Sequence, residues 1–447
     1  MGASEQELRQ IYRQGEDACV AWMTSLLERV EALEAHVGAT SKNSDKPPSQ
    51  DPFRAKAKKK RRRRRREHHK GGGRALVPVE DVDEFISLTP SRCHHCSLSL
   101  NEHAPHVGAP GRHQQTEIPE PTAFVTEFLT HTLKCRGCGH KTPAPLPPSA
   151  RSAFGPRLQA LIVDLAIGRR LSTRQVKEML FDLYGVDVSL GSICAAIQAA
   201  GDACAPLAEE IKAGILASNS RFIDETSWRL GGARAWLWGL FGRKAAYYHV
   251  DRSRSQEVAR DLIPAYVEGT THTDGYGAYN HLHPDRRQVC HAHLSRHFQR
   301  HAEARDGPER AFGVAGSRLS ERVCKLSREG ATPKQARRAE RDMNRLIVSG
   351  IEAGVATART LQKQRSSLLR CLYDPDIDAT NNHAERMLRP AVIRRKTSFG
   401  NATERGACAF ANILSVMTTE RMQGRSPHKL IESLIRDSYA SPALNPA

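Results

Sequence analysis

Arg221-Phe222-Ile223-Asp224-Glu225-Thr226-Ser227-Trp228-Arg229-Leu230 is rich in aromatic and β-branched residues and stops at Gly231-Gly232, so it reads as a strand ending in a tight turn. Two more strand-like runs follow, at 234–241 and 245–250, separated by Gly242-Arg243-Lys244. The period then becomes helical over 255–266 and returns to strand at 269–273 and at 287–289. Side chains alternate between faces along a strand, so Asp224 and Glu225 are expected to point opposite ways. Asp274 ends the fourth strand, where Gly275 lets the chain turn.

Three antiparallel strands, a helix and further strands form the element order of a ribonuclease H-like core. In that order the first and fourth strands are neighbours, which would bring Asp224 beside Asp274. From about residue 294 to residue 372 the chain is helical and charged, and reads as an insertion within that fold. A helix resumes at Asn381-Asn382-His383-Ala384-Glu385-Arg386, with both asparagines able to cap it and Pro390 a misfit near its far end. Glu385 thus becomes a third carboxylate from a third element, the kind of convergent oxygen set that a hard cation such as Mg²⁺ demands. Ordinary capping and i,i+4 pairing with Arg389 would place a glutamate there too. Glu225, Asp285, Asp374, Asp376 and Asp378 are the competing acids.

Upstream, 156–218 follows a helical period, and 172–184, a turn at 185–188 and 189–199 have the rhythm of a helix-turn-helix, a pattern that plain helical hairpins share. Before it stand Cys93-x-x-Cys96 and, after 38 residues, Cys135-x-x-Cys138, with strand-like alternation over 124–133 between them. Two such knuckles can present four thiolates to one Zn²⁺, although the interval exceeds the usual ribbon spacing. His94, His95, His131 and His140 are alternative ligands. The total of 11 cysteines is odd, which argues against a closed disulfide framework and for a reducing compartment. Cys19, Met23, Leu26, Val30, Leu33 and Val37 form a short heptad seam on an N-terminal helix, suited to dimerisation or to packing on the protein's own core.

The formal charge of +18 is concentrated: residues 54–74 hold 13 Lys or Arg against one acid, Glu67. Arg61, Arg62, Arg63, Arg64, Arg65 and Arg66 repel one another unless counter-charged, which points to the phosphates of nucleic acid. A solvated linker or a localisation signal has the same composition. No apolar run approaches a bilayer span, since the longest, 160–167, is broken by Asp164; neither a membrane partner nor a signal segment is expected. The expected organisation is multidomain α/β. It comprises an N-terminal helix (1–40), a basic linker (41–80), a zinc-ribbon-like domain (81–150) and a helical region with the helix-turn-helix (151–218). A core in two parts (219–299 and 373–425) follows, around a helical insertion (300–372), and a C-terminal helix and tail (426–447) end the chain.

Several of these stretches together resemble the insertion sequence 66 family of bacterial DDE transposases. They are Asn43-Ser44-Asp45-Lys46-Pro47-Pro48-Ser49, the paired C-x-x-C segments, Asp224-Glu225-Thr226, Asp274-Gly275-Tyr276-Gly277-Ala278-Tyr279 and Cys290-His291-Ala292-His293. The longest are Asn381-Asn382-His383-Ala384-Glu385-Arg386-Met387-Leu388-Arg389-Pro390 and Arg395-Lys396-Thr397-Ser398-Phe399-Gly400. The resemblance implies that Asp224, Asp274 and Glu385 are a catalytic triad holding two Mg²⁺, or Mn²⁺, about 4 Å apart for phosphoryl transfer. It implies double-stranded DNA as substrate and target, assembly as a homo-oligomer on DNA, small accessory proteins as candidate partners, and a cytoplasmic, nucleoid-associated location. Arg386, Arg389, Arg394, Arg395 and Lys396 follow Glu385, where they can hold phosphates or form a solvated helix face. A basic run of nearly pure charge, 58–66, replaces the glycine-rich stretch common in similar proteins. Cys290 and His293 match a C-x-x-H feature of several transposase groups and read as structural. A DNA-binding regulator without catalysis, or a metal-dependent nuclease that does not join strands, are the alternatives.

Two outcomes are expected. Purified protein should carry about one Zn²⁺ per chain, lost on Cys93→Ser with Cys96→Ser; full zinc content in that double variant overturns the assignment. Deleting 58–66 should weaken binding to all DNA alike and flatten its salt dependence, each phosphate contact contributing about −0.9 to the log–log slope. A loss restricted to one DNA sequence would show that the tail reads bases instead.

Overall fold

A pair of glycines with positive φ, Gly231 at 59° and Gly232 at 79°, closes the hairpin around which the protein is organised. The computed structural model describes residues 5–38, 75–100, 105–150, 152–304 and 306–440; the arginine block at 61–66 and the motif at 43–49 lie outside them. The chain divides into two units, Phe53–Thr122 and the remainder.

In the smaller unit, the Gln114 side chain clamps both backbone polar groups of Val77, at 2.8 and 3.0 Å. A bridge between Arg92 and Ser99 closes the loop that holds Cys93 and Cys96.

The larger unit begins with helices α1 (Glu5–Arg13) and α2 (Glu16–Gly38), the second spanning the predicted heptad seam. A short hairpin of β1 (Thr132–Lys134) and β2 (Lys141–Pro143) flanks Cys135 and Cys138. The alternation over 124–133 becomes regular strand only from Thr132, where β2 supplies a pairing edge.

Three helices follow: α3 (Pro156–Val163), α4 (Thr173–Tyr184) and α5 (Leu190–Leu216). Ser172 starts α4 with a capping box to Gln175, and Ser189 caps α5 through the Ser192 N–H. Helix α5 continues well past residue 199, because buried Ala200, Cys204, Ala208 and Ile215 keep the helical spacing. At 27 residues it is long and apolar enough to cross a membrane, yet this buried face packs into the core.

Strands β3 (Ser220–Leu230), β4 (Ala233–Phe241), β5 (Ala246–Asp251), β6 (Thr270–Thr273) and β7 (Arg287–Val289) form one mixed sheet in the order β5-β4-β3-β6-β7. The first three are antiparallel, and β6 and β7 run parallel to β3. Between β5 and β6, helix α6 (Gln256–Leu262) is shorter than the predicted 255–266. Ile263 precedes Pro264 and is forced into extended backbone.

After β7 come α7 (His291–Ala302), α8 (Pro308–Glu329), α9 (Pro333–Glu352) and α10 (Ala356–Lys363), which build a separate apolar cluster with Phe298, Phe312 and Met343 at its centre. The chain returns to the sheet with α11 (Asn382–Ser398), α12 (Glu404–Met422) and α13 (Pro427–Ala440). Pro390 sits inside α11 without ending it; burial of Ala384, Leu388 and Ala391 against the sheet offsets a cost of about 3 kcal/mol for an interior proline. One sheet face therefore carries α11 and α12, with α3 and α13 packed outside them on α5 and α12, and the other carries α6 with the turn at Gly277–His281, where Ala208 and Ile215 of α5 join the same apolar cluster.

Two buried histidines join the sheet to its surroundings. His272 stacks on Phe222 at 4.2 Å, reaches the Arg221 carbonyl at 2.9 Å and accepts the Asp378 N–H at 3.1 Å. His291 donates to the Leu368 carbonyl at 2.6 Å and meets Ser320 Oγ at 3.1 Å. Burial pushes His291 down to about 4, below its ordinary 6.5. The unfolded chain therefore takes up this proton first, and His291 alone should lower stability by about 3 kcal/mol as pH drops from 6.5 to 4. Urea unfolding at a series of pH values checks this: His291→Gln should flatten the slope, and an unchanged slope would contradict it.

Candidate active site

Asp224 lies in the middle of β3, where its backbone pairs with Gly239 of β4. A Cβ at Gly239 would stand 2.2 Å from the Phe241 ring and 3.1 Å from Leu388, so the absent side chain lets α11 approach the sheet beside Asp224. The parallel register pairs Phe222 with His272, and carrying it two residues further sets Asp224 level with Asp274. Asp274 lies just beyond β6 and is held from several sides. Its carboxylate accepts the Tyr276 N–H at 2.8 Å, and its carbonyl accepts from Arg287 at 2.9 Å and from the Thr273 hydroxyl at 2.7 Å.

Glu385 stands in the first turn of α11. Asn381 makes no side-chain cap; its amide donates to the Ile223 carbonyl at 2.8 Å, one residue before Asp224, and its N–H donates to Cys290 Sγ at 3.1 Å. His383 adds a bond to the Gly242 carbonyl at 2.9 Å. His293 Nε2 lies 3.9 Å from Glu385 Oε1, so the second half of the C-x-x-H feature borders this site while Cys290 is buried behind it.

The acids act on one another. Burial, then Glu225, Asp274 and Glu385, raise Asp224 well above the usual carboxylate range, against one N–H from Glu225 at 3.0 Å. Glu225 is raised by burial and Asp274, while the Tyr279 hydroxyl and Arg254 oppose this. Among the described residues no three His, Cys, Asp or Glu side chains close up into a metal-holding group; Asp274 and Glu385 lie within electrostatic reach of Asp224. The other acids are engaged elsewhere: Asp378 pairs with Arg243 at 2.7 Å, Asp374 accepts the Asp376 N–H at 2.9 Å, and exposed Asp285 lies 4.0 Å from His283.

The basic residues after Glu385 divide. Arg386, Arg389 and Lys396 are exposed. Arg394 turns inward, over the Phe410 ring at 5.2 Å and onto the Ala166 carbonyl, and burial lowers it to about 10. Arg395 is taken up by Thr226, at 3.1 Å, and Ser227.

Cys93 and Cys135 each open a separate turn of the same hydrogen-bonding pattern, one in each unit. Cys93 N–H donates to the Leu98 carbonyl and accepts at its own carbonyl from Ser97; Cys135 does the same with His140 and Gly139. Both thiols are lowered, first by the backbone N–H of the second cysteine and then by that of the residue two positions on from the first, which is how a knuckle prepares a thiolate.

Arg254, Tyr276, Tyr279 and Trp236 escaped the sequence reading. The repeated tyrosines of 274–279 were the available signal, but nothing in linear order ties Arg254 to them.

Residues 151–409, more than half of the chain, match the model of the transposase IS66 family, and residues 3–75 match a family of unknown function (DUF6444). The uncharacterized protein y4qI of Sinorhizobium fredii (strain NBRC 101917 / NGR234) is similar, 26% identical over 244 residues. That alignment covers 47% of this chain and 45% of the relative, so the chain spans less than half the length of the curated protein it matches. With the matched region running from α3 into α12 and enclosing Asp224, Asp274 and Glu385, the chain belongs to the transposase IS66 family.

Proposed function

We propose that this protein is a DNA transposase that cleaves the ends of its element and joins the freed 3′-hydroxyls to target DNA. The observation that carries this reading is that Asp274, at the end of β6, and Glu385, at the start of α11, both lie within electrostatic reach of Asp224 on β3. The sheet order, with β6 parallel to β3 and the last carboxylate on a following helix, supports a ribonuclease H-like core.

The donor set fits hard divalent cations. It offers oxygen only, and the mutual repulsion that raises Asp224 is what a bound cation relieves. Asp224, Asp274 and Glu385 would hold two Mg²⁺ or Mn²⁺, which when bound supply Lewis-acid stabilisation of the attacking and leaving oxygens. The protein's own part is positional. Arg287 and the Asx turn to Tyr276 fix Asp274, Asn381 fixes the start of α11, and exposed Arg386, Arg389 and Lys396 face DNA phosphates. No serine or tyrosine nucleophile is required. End recognition falls to the α4–α5 pair, with non-specific affinity from the arginine block. A homo-oligomer on DNA, with accessory proteins, completes the proposed assembly.

Asp224→Asn, Asp274→Asn and Glu385→Gln should each abolish cleavage of element ends and joining of pre-cut ends, beyond the roughly 10–100-fold loss typical of a residue that only orients a metal ligand. Each should also lose the stabilisation that Mn²⁺ gives the unmodified protein in thermal unfolding. Asp285→Asn, exposed beside His283, should remain active. Cleavage without joining would make the protein a nuclease, and normal joining by Glu385→Gln would refute the triad.

A further inference from the structure

Arg254 is held in a manner that exceeds what a structural ion pair needs. Its Nε and Nη2 both reach Glu225 Oε1, at 2.7 and 2.5 Å, and Tyr279 donates to the other oxygen of that carboxylate. The guanidinium lies over the Tyr276 ring, 3.8 Å from its centre, and over the Trp236 ring, at 4.8 Å. Tyr276 also donates its hydroxyl to the Arg254 carbonyl at 3.0 Å. The loop beneath is fixed as well: Ser253 N–H bonds to Asp251 at 2.6 Å, Ser255 N–H to Ser253 Oγ at 3.0 Å, and Trp238 to the Ser253 carbonyl at 3.2 Å.

Glu225 is wholly enclosed, whereas 36% of the Arg254 side chain is open to solvent. Nη1 has no hydrogen bond among the described residues, so a planar donor edge faces outward while the rest of the group is immobilised. Arg254 also lies within electrostatic reach of Asp274. A rigid, permanently charged fork at the flank of a carboxylate group suits an anion with two oxygens in one plane, which on a DNA strand is a backbone phosphate.

We infer that Arg254, gripped by Trp236, Tyr276 and Glu225, is a phosphate-binding residue that seats the DNA strand flanking the scissile bond on the Asp274 side of the site. This rests on the proposed transposase reading. It also gives buried Glu225 a task, since it positions Arg254 from the face opposite Asp224.

The test uses the full chain and duplexes carrying a single uncharged methylphosphonate at each position near the element end. Arg254→Ala should weaken binding about 10-fold or more and reduce the salt slope by about 0.9. At one phosphate the methylphosphonate should weaken the unmodified protein but leave Arg254→Ala unaffected, so the two losses do not add. Arg254→Lys should recover the slope but not the full affinity, because the ammonium lacks the planar fork. If the stranded carboxylate unfolds Arg254→Ala, the same cycle is run with Arg254→Ala and Glu225→Gln combined, which removes that charge. Equal affinity and slope in a folded variant, or additive losses at every phosphate, would overturn the inference. Failure of the unmodified protein to bind or cut element ends would instead overturn the transposase reading.

Discussion

The amide of Asn381 donates to the carbonyl of Ile223, and with that bond an element more than 150 residues away in the chain is fastened beside Asp224. Its backbone N–H is spent on Cys290, so one buried residue links β3, the segment between β7 and α7, and the start of α11. Losing a buried bond of this kind leaves a carbonyl unsatisfied, a penalty of about 1–3 kcal/mol. The geometric loss is larger in consequence, because Glu385 has only the first turn of α11 to carry it toward the two aspartates. The helical cluster of α7–α10 can fold around its own apolar centre since the return of the chain is secured at this point.

The carboxylates brought together in this way are mutually destabilising. Asp224 is raised by its own burial and by three acidic neighbours, an expense that a purely structural site would avoid. The surrounding chain separates their fates. Arg254 and Tyr279 oppose the rise that burial and Asp274 impose on Glu225, whereas Asp224 is raised by burial and by Glu225, Asp274 and Glu385, and Glu385 lies 3.9 Å from His293. Neighbours in sequence thus serve different ends, and the strand's two-residue period is the reason. Arg394 and Arg395 illustrate the same sorting among cations. They extend the basic run after Glu385, but a helix turns successive residues through about 100°, and the turns that face α12 and β3 are drawn into packing and carbonyl contacts.

The order of elements from β3 to α11 was legible in the sequence because its signals are local. Glycine pairs end strands, aromatic and β-branched residues mark them, serines cap α4 and α5, and Ile263 before Pro264 ends α6. The levelling of Asp224 with Asp274 followed from that order, since parallel pairing of the first and fourth strands fixes which residues stand level. Residues whose role depends on orientation about a helix, or on contact across long loops, were not legible. Asn381 reads as a cap and acts as a clamp, Arg394 reads as a phosphate contact and is turned inward, and Arg254 carries no local mark at all. By itself, the sequence determined which side chains could carry the chemistry and on which elements they ride, because backbone propensity and strand alternation act over a few residues. Only the tertiary structure decided which carboxylate is gathered among other acids and which is spent on an arginine. That choice depends on burial and on distances between charges, and both exist only once the sheet and helices are packed.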